Sequence, residues 1–171
     1  SALVLCLRGR AMYPRRADTG YYFSDHYALE RELLAALSAL QRTHGERISP
    51  GRAAFAGFSQ GAIMGALVLP AHAERFDRLI LVEGGYDDWN VAQAKKLARE
   101  GTTRVLYACG QTNSTPSAKR SASWLARGGV ASRVELAPRA GHTYAGEVGE
   151  RVQEALPWLF GGDARWRLPK R

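Results

Sequence analysis

Five short apolar runs, most of them followed by a stretch of helical period, leave few folds open to this chain. The runs are residues 2–7, 52–58, 78–83, 103–109 and 130–137. Most are nearly continuous in hydrophobic residues, the pattern of parallel strands buried on both faces. Between and after them the period changes to that of a helix, over 25–44, 60–73, 91–99, 116–127 and 147–159. In the first of these, Leu29, Leu33, Leu37 and Leu40 recur at helical spacing behind Ser24 or Asp25 as N-cap, and Gly45 follows as a stop. Strand–helix alternation of this kind predicts an α/β fold, a three-layer sandwich around a mostly parallel central sheet of about five strands. Residues 9–23 contain Pro14, Gly20 and Tyr21-Tyr22-Phe23 without a period, and are read as a surface loop that lines a site.

A length of 171 residues suits one domain, 1–171, closed by a basic tail at 161–171. With 46% hydrophobic and 23% charged residues the chain carries enough apolar surface for a packed core, which excludes a disordered or fibrous class. No apolar run approaches the roughly 18 residues of a membrane span, so no membrane span is expected. No signal peptide is visible, because the opening apolar run meets Arg8-Gly9-Arg10 at once. That inclines the location toward the cytoplasm and otherwise leaves it open. The net charge of +8 comes from basic residues that are scattered and, Lys95, Lys96, Lys119 and Lys170 apart, all arginine. Scattered arginines do not make a phosphate-tracking stripe, so no nucleic-acid partner is expected. Cys6 and Cys109 each sit in an apolar run, where a thiol behaves as a small hydrophobe. No His/Cys/Asp cluster has metal-ligand spacing, so neither a metal nor a cofactor is expected.

The chemistry-bearing motif is Gly57-Phe58-Ser59-Gln60-Gly61, which lies between the apolar run 52–58 and the helical run that follows. Glycines on either side let a chain turn sharply from strand into helix, so the serine is held strained with its hydroxyl above the sheet edge. The N–H of Gln60, at the start of the helix, points to where a tetrahedral oxyanion would form, and the helix dipole adds positive charge there. A serine nucleophile needs a base, and His142 in Ala140-Gly141-His142 follows the last strand. His26 and His44 belong to the first helix and His72 to the far end of the serine's helix, which suits them poorly to the role.

Gly57-Phe58-Ser59-Gln60-Gly61-Ala62 followed by Ala140-Gly141-His142 resembles the phospholipase/carboxylesterase group of α/β-hydrolases, which includes the acyl-protein thioesterases. The order of nucleophile first and histidine last is the order of that superfamily. The resemblance runs from about Ala2 to the end of the chain and implies a truncated or minimal α/β-hydrolase fold. It implies a serine hydrolase that cleaves carboxylic esters or thioesters through an acyl-enzyme on Ser59. The family's first strands have no counterpart, nor has the loop that supplies its second oxyanion N–H, unless Arg8 takes that position. This implies either a larger protein or partner chain that completes the fold, or a minimal hydrolase whose first strand packs beside the serine's strand.

The family's acid follows a strand in the pattern Gly, two residues, Asp; here Gly110-Gln111-Thr112-Asn113 puts the amide of Asn113 at that position. An amide carries no charge to stabilise an imidazolium. Glu83, at the end of an earlier strand and released by Gly84-Gly85, is the leading alternative, and Asp87 and Asp88 stand further along. Tyr22, Phe23, Tyr86, Trp89 and Tyr144 read equally as pocket lining and as core. The alternative reading of the whole chain is a non-catalytic binding module of the same fold that has lost its triad acid.

Overall fold

Four of the five apolar runs form one parallel sheet, and the described part of the fifth, residues 3–7, forms no strand. A computed structural model describes residues 3–48 and 50–166, which fall into two compact units, Ser1–Pro50 and Gly51–Arg171. Ala2 of the expected first strand and residues 167–171 of the expected basic tail lie outside the described residues.

In the first unit, residues 3–7 form no strand. A strand is stable only when its N–H and C=O groups find a ladder, and this run instead lies open, with Leu3 52% and Val4 80% exposed. An apolar run alone therefore did not suffice. The segment read as a loop holds a two-residue antiparallel ladder, β1 (Arg10–Ala11) with β2 (Tyr21–Tyr22), in register Arg10↔Tyr22 and Ala11↔Tyr21. Gly9, at φ +66°, allows the approach, since a Cβ there would meet the Tyr22 carbonyl oxygen at 2.5 Å. Helix α1 (His26–His44) begins on Asp25, whose carboxylate accepts the Ala28 N–H at 2.7 Å. Its apolar stripe buries Leu29 and Leu33.

The second unit alternates β3 (Ala53–Phe58), α2 (Gln60–Val68), β4 (Phe76–Val82), α3 (Val91–Glu100), β5 (Arg104–Cys109), α4 (Thr115–Gly128), β6 (Ala131–Leu136) and α5 (Glu147–Phe160). The sheet order is β3-β4-β5-β6, parallel throughout. Because every crossover steps the same way across the sheet, the right-handed rule puts α2, α3 and α4 on one face. Helix α5 covers the other, packing Val148, Ala155 and Leu159 against Val82, Leu106 and Ala108. The result is the expected three-layer α/β sandwich, with four strands in the sheet and β3 at its edge. Leu79, Leu81, Val105 and Leu106 are fully buried between the layers, each contributing about 1.5–3 kcal/mol by removal from water.

Helix α2 stops at Val68, five residues short of the sequence expectation. Pro70 has no N–H to offer the Ala66 carbonyl, which in a continuing helix would accept from that position. The Trp89 indole N–H donates to Ala66 O instead, at 2.5 Å, from a side chain 2% exposed. Trp89 is thus a core residue that finishes the helix. Two short 3₁₀ turns, Leu69–Ala71 and Ala73–Arg75, carry the chain on to β4. No described helix is long and apolar enough to cross a membrane.

Candidate active site

The carboxyl end of the sheet is where strand ends, glycines and the longer loops converge. One ladder bond beyond β3, the Ser59 N–H donates to Val82 O at 2.8 Å, and one beyond β4 the Glu83 N–H donates to Ala108 O at 3.0 Å. These last bonds hold both residues at the sheet edge while the chain turns away. Ser59 sits at φ +50°, ψ −118°, and Glu83 at φ +52°, conformations that cost a non-glycine residue of order 1–3 kcal/mol.

The turn at Ser59 depends on glycines in unequal ways. A Cβ on Gly57 would lie 2.7 Å from the Ala62 nitrogen and from Gly61 C and O, so the sharp reversal excludes any side chain there. A Cβ on Gly61 would meet nothing within 4 Å. Its bareness leaves room over the start of α2 rather than relieving a clash. Gly84 is the glycine the motif does not announce: its Cβ would strike Ser59 O at 2.7 Å and Ile63 Cγ1 at 3.0 Å. The double glycine after Glu83 therefore lets the end of β4 pass under the serine turn.

His142 arrives from the loop after β6. Gly141, at φ +82°, donates its N–H to Gly110 O at 3.2 Å, and a Cβ on Gly110 would lie 2.3 Å from Gly141 O. That close approach anchors the histidine loop to the end of β5. The imidazole Nε2 stands 2.8 Å from Ser59 Oγ. On its far side Nδ1 is 3.3 Å from Gln111 Oε1 and 3.8 Å from Glu83 Oε2. The Phe58 ring lies against the imidazole with centroids 5.1 Å apart, and Tyr144 meets Phe58 edge-on at 5.0 Å. The histidine side chain is 44% exposed and the Glu83 side chain 0%.

Glu83 is buried without a Lys or Arg partner among its described contacts. Its Oε1 accepts the N–H groups of Gly110 and of Gln111, the latter at 2.9 Å, and its Oε2 accepts from Ser114 Oγ at 3.3 Å. Main-chain dipoles and one hydroxyl thus satisfy a carboxylate that has left water. Next to it, burial raises the Tyr86 phenol above its ordinary range and pushes the Cys109 thiol up to about 11; the two atoms are 3.0 Å apart.

The remaining sequence candidates are arranged differently. Asn113 lies exposed on a 3₁₀ turn, Thr112–Ser114, and no hydrogen bond joins it to His142. Asp87 is taken by Arg120, which donates from Nε at 2.7 Å and from Nη2 at 2.6 Å and holds its carboxyl below the usual range. Asp88 is half-buried, and burial beside Asp87 raises its carboxyl. Gln60 is the first residue of α2. Arg8 belongs to the other unit, where its N–H donates to Glu32 Oε1 at 2.7 Å and its guanidinium stacks on Tyr21. Gln111 and Ser114 carry no signal in the sequence, because a Gln or Ser after a strand has no local signature.

No family model matches the chain, and no curated protein matches it. Solved structures do. The chain is similar to the crystal structure of esterase PE8, with a TM-score of 0.57 and 22% identity over 78% of this chain and 61% of that one. It is similar also to SOBER1 of Arabidopsis thaliana, with a TM-score of 0.52 and 12% identity over 79% of this chain and 64% of that one. Likeness at such identity is likeness of fold, and the four-stranded parallel sheet flanked by helices is compatible with a minimal α/β-hydrolase fold. The chain spans a little under two thirds of the length of either structure.

Proposed function

We propose that this chain is a serine hydrolase of carboxylic esters or thioesters, of the phospholipase/carboxylesterase type. The observation that carries the reading is the 2.8 Å approach of His142 Nε2 to the hydroxyl of a serine held at positive φ on a strand–helix turn. The names of the similar structures, one of them an esterase, support it. Neutral imidazole accepts the Ser59 proton as Oγ attacks the acyl carbonyl, and the Gln60 N–H at the head of α2 takes up the oxyanion. The imidazolium then protonates the leaving group. Water, deprotonated by the same ring, attacks the acyl-enzyme and releases the acid. Glu83, rather than Asn113, is the carboxylate of the site, because it is the charged group behind Nδ1. The Arg8 N–H does not serve as an oxyanion donor, since Glu32 already occupies it. The partner is a small-molecule ester or thioester.

The test is turnover of p-nitrophenyl acetate and butyrate with a pre-steady-state burst, together with labelling by a fluorophosphonate and peptide mapping. Wild type should label at Ser59, and Ser59→Ala should lose the label and roughly a million-fold of kcat with its circular dichroism unchanged. Turnover in Ser59→Ala equal to wild type, or a wild type no faster than buffer, overturns the reading; the second result leaves the binding module.

A further inference from the structure

The nearest acceptor to His142 Nδ1 is not the carboxylate. Gln111 Oε1 stands at 3.3 Å, inside hydrogen-bond range, whereas Glu83 Oε2 stands at 3.8 Å, outside it. The same glutamine donates its main-chain N–H to Glu83 Oε1 at 2.9 Å, so one residue touches both groups. We infer that Gln111 is a positioning residue that fixes the tautomer of His142, while Glu83 behind it supplies charge. The duties that a single aspartate performs in the Ser-His-Asp template are here divided between two side chains. The inference rests on the proposed roles of Ser59 and His142.

The direction of the amide follows from the chemistry at the other nitrogen. If Ser59 is to give its proton to Nε2, the ring proton must sit on Nδ1, and Nδ1–H needs an acceptor. The Gln111 side-chain oxygen is that acceptor; an amide NH₂ turned toward the ring would favour the tautomer with Nε2 protonated, which cannot take the serine proton. When Ser59 transfers its proton, the ring carries N–H on both nitrogens and one positive charge. Nδ1–H stays donated to Gln111, no proton leaves it, and the buried Glu83 carboxylate offsets the charge. Among the described residues Glu83 is the only carboxylate within 4 Å of a ring nitrogen.

Removing the acceptor while keeping bulk separates this role from a merely structural one, because the main-chain bond from residue 111 to Glu83 survives any side-chain change. In Gln111→Met, kcat for p-nitrophenyl butyrate should fall about 10- to 100-fold with KM nearly unchanged, the scale of losing an orienting partner. The ¹⁵N spectrum of the ring should pass from the Nδ1–H form to a mixture. Gln111→Glu, which keeps an acceptor, should return kcat to within about threefold of wild type and the ring spectrum to the Nδ1–H form. The inference is overturned if Gln111→Met keeps both kcat and the tautomer, or if Met and Glu variants lose kcat equally with the ring spectrum unchanged. Should Ser59→Ala turn over like wild type, the proposed function fails; the ring spectrum, which needs no turnover, still decides whether Gln111 sets the tautomer.

Discussion

Strand β4 buries charge at both of its ends, and the two ends treat it in opposite ways. At its start, Asp77 and Arg78 are 5% and 7% exposed, and each carboxylate there meets a guanidinium. Arg165 binds Asp77 and Asp163, and Arg78 lies 3.6 Å from Asp77 and 3.7 Å from Asp163. Arg78 also caps the end of α5 by donating to Leu159 O at 2.7 Å, as Arg104 does to Gly161 O at 2.8 Å. At the other end Glu83 is equally buried, yet among the described residues its hydrogen bonds come from two main-chain N–H groups and a hydroxyl, and its one ion-pair neighbour is the His142 imidazole. A carboxylate already matched by arginine has little to offer a charge that appears during a reaction. One left without a cationic partner can stabilise a positive charge that forms beside it. The contrast separates a clamp from a site within one strand.

The most severe way to break this contrast is to neutralise Glu83. Glu83→Gln keeps an amide oxygen for the Gly110 and Gln111 N–H groups, so the fold should persist, while kcat for a p-nitrophenyl ester should fall by about two to three orders of magnitude, the part of the template's loss left once Gln111 holds the tautomer. An unchanged kcat would place the site's charge elsewhere. The same operation at the other end should do the reverse. Arg78→Met leaves Asp77 and Asp163 short of a partner and should lower the unfolding free energy in urea by about 3–5 kcal/mol, with kcat per folded molecule within about twofold of wild type. A large loss of kcat at full stability would merge the two ends.

A smaller effect tests the clamp by pH. The Arg165 guanidinium, with its N–H, holds the Asp163 carboxyl down to about 2, below the unfolded value of about 3.9. A depressed carboxyl stabilises the fold above its unfolded value and ceases to as pH falls through its folded one, so the contribution should disappear between about pH 4 and 2. Urea midpoints of wild type and Asp163→Asn should therefore differ at pH 6 and converge toward pH 2. Smallest of all is Asn113. Since it lies exposed and unbonded to His142, Asn113→Ala and Asn113→Asp should each change kcat/KM by less than about twofold; a large gain in the aspartate variant would return the acid to that turn.

Much of the second unit was legible because its signals are local. Apolar runs gave way to helical periods at nearly every boundary, and departures such as the early end of α2 trace to single residues, here Pro70 and the Trp89 indole that replaces its missing N–H. The residues 3–7 carried the same apolar signal and form no strand, because a ladder requires a neighbour that composition does not reveal. At the site, the motif around Ser59 and the late histidine stood out, whereas the steric need for Gly84 under the serine turn did not, since it arises where two strand ends cross.

What the sequence determined by itself was the alternation of strand and helix and the junction at Ser59, since hydrophobic period and the absence of a Cβ at Gly57 act over a few neighbouring residues. Which groups face the far side of His142 was decided only in three dimensions. The parallel register sets Val82 beside Ala108 and Cys109 beside Leu136, and so brings the chain ends leaving β4, β5 and β6 to one edge. Glu83, Gln111 and His142 are far apart in the chain and meet there within 4 Å, because hydrogen-bonded strands lie only about 4.8 Å apart.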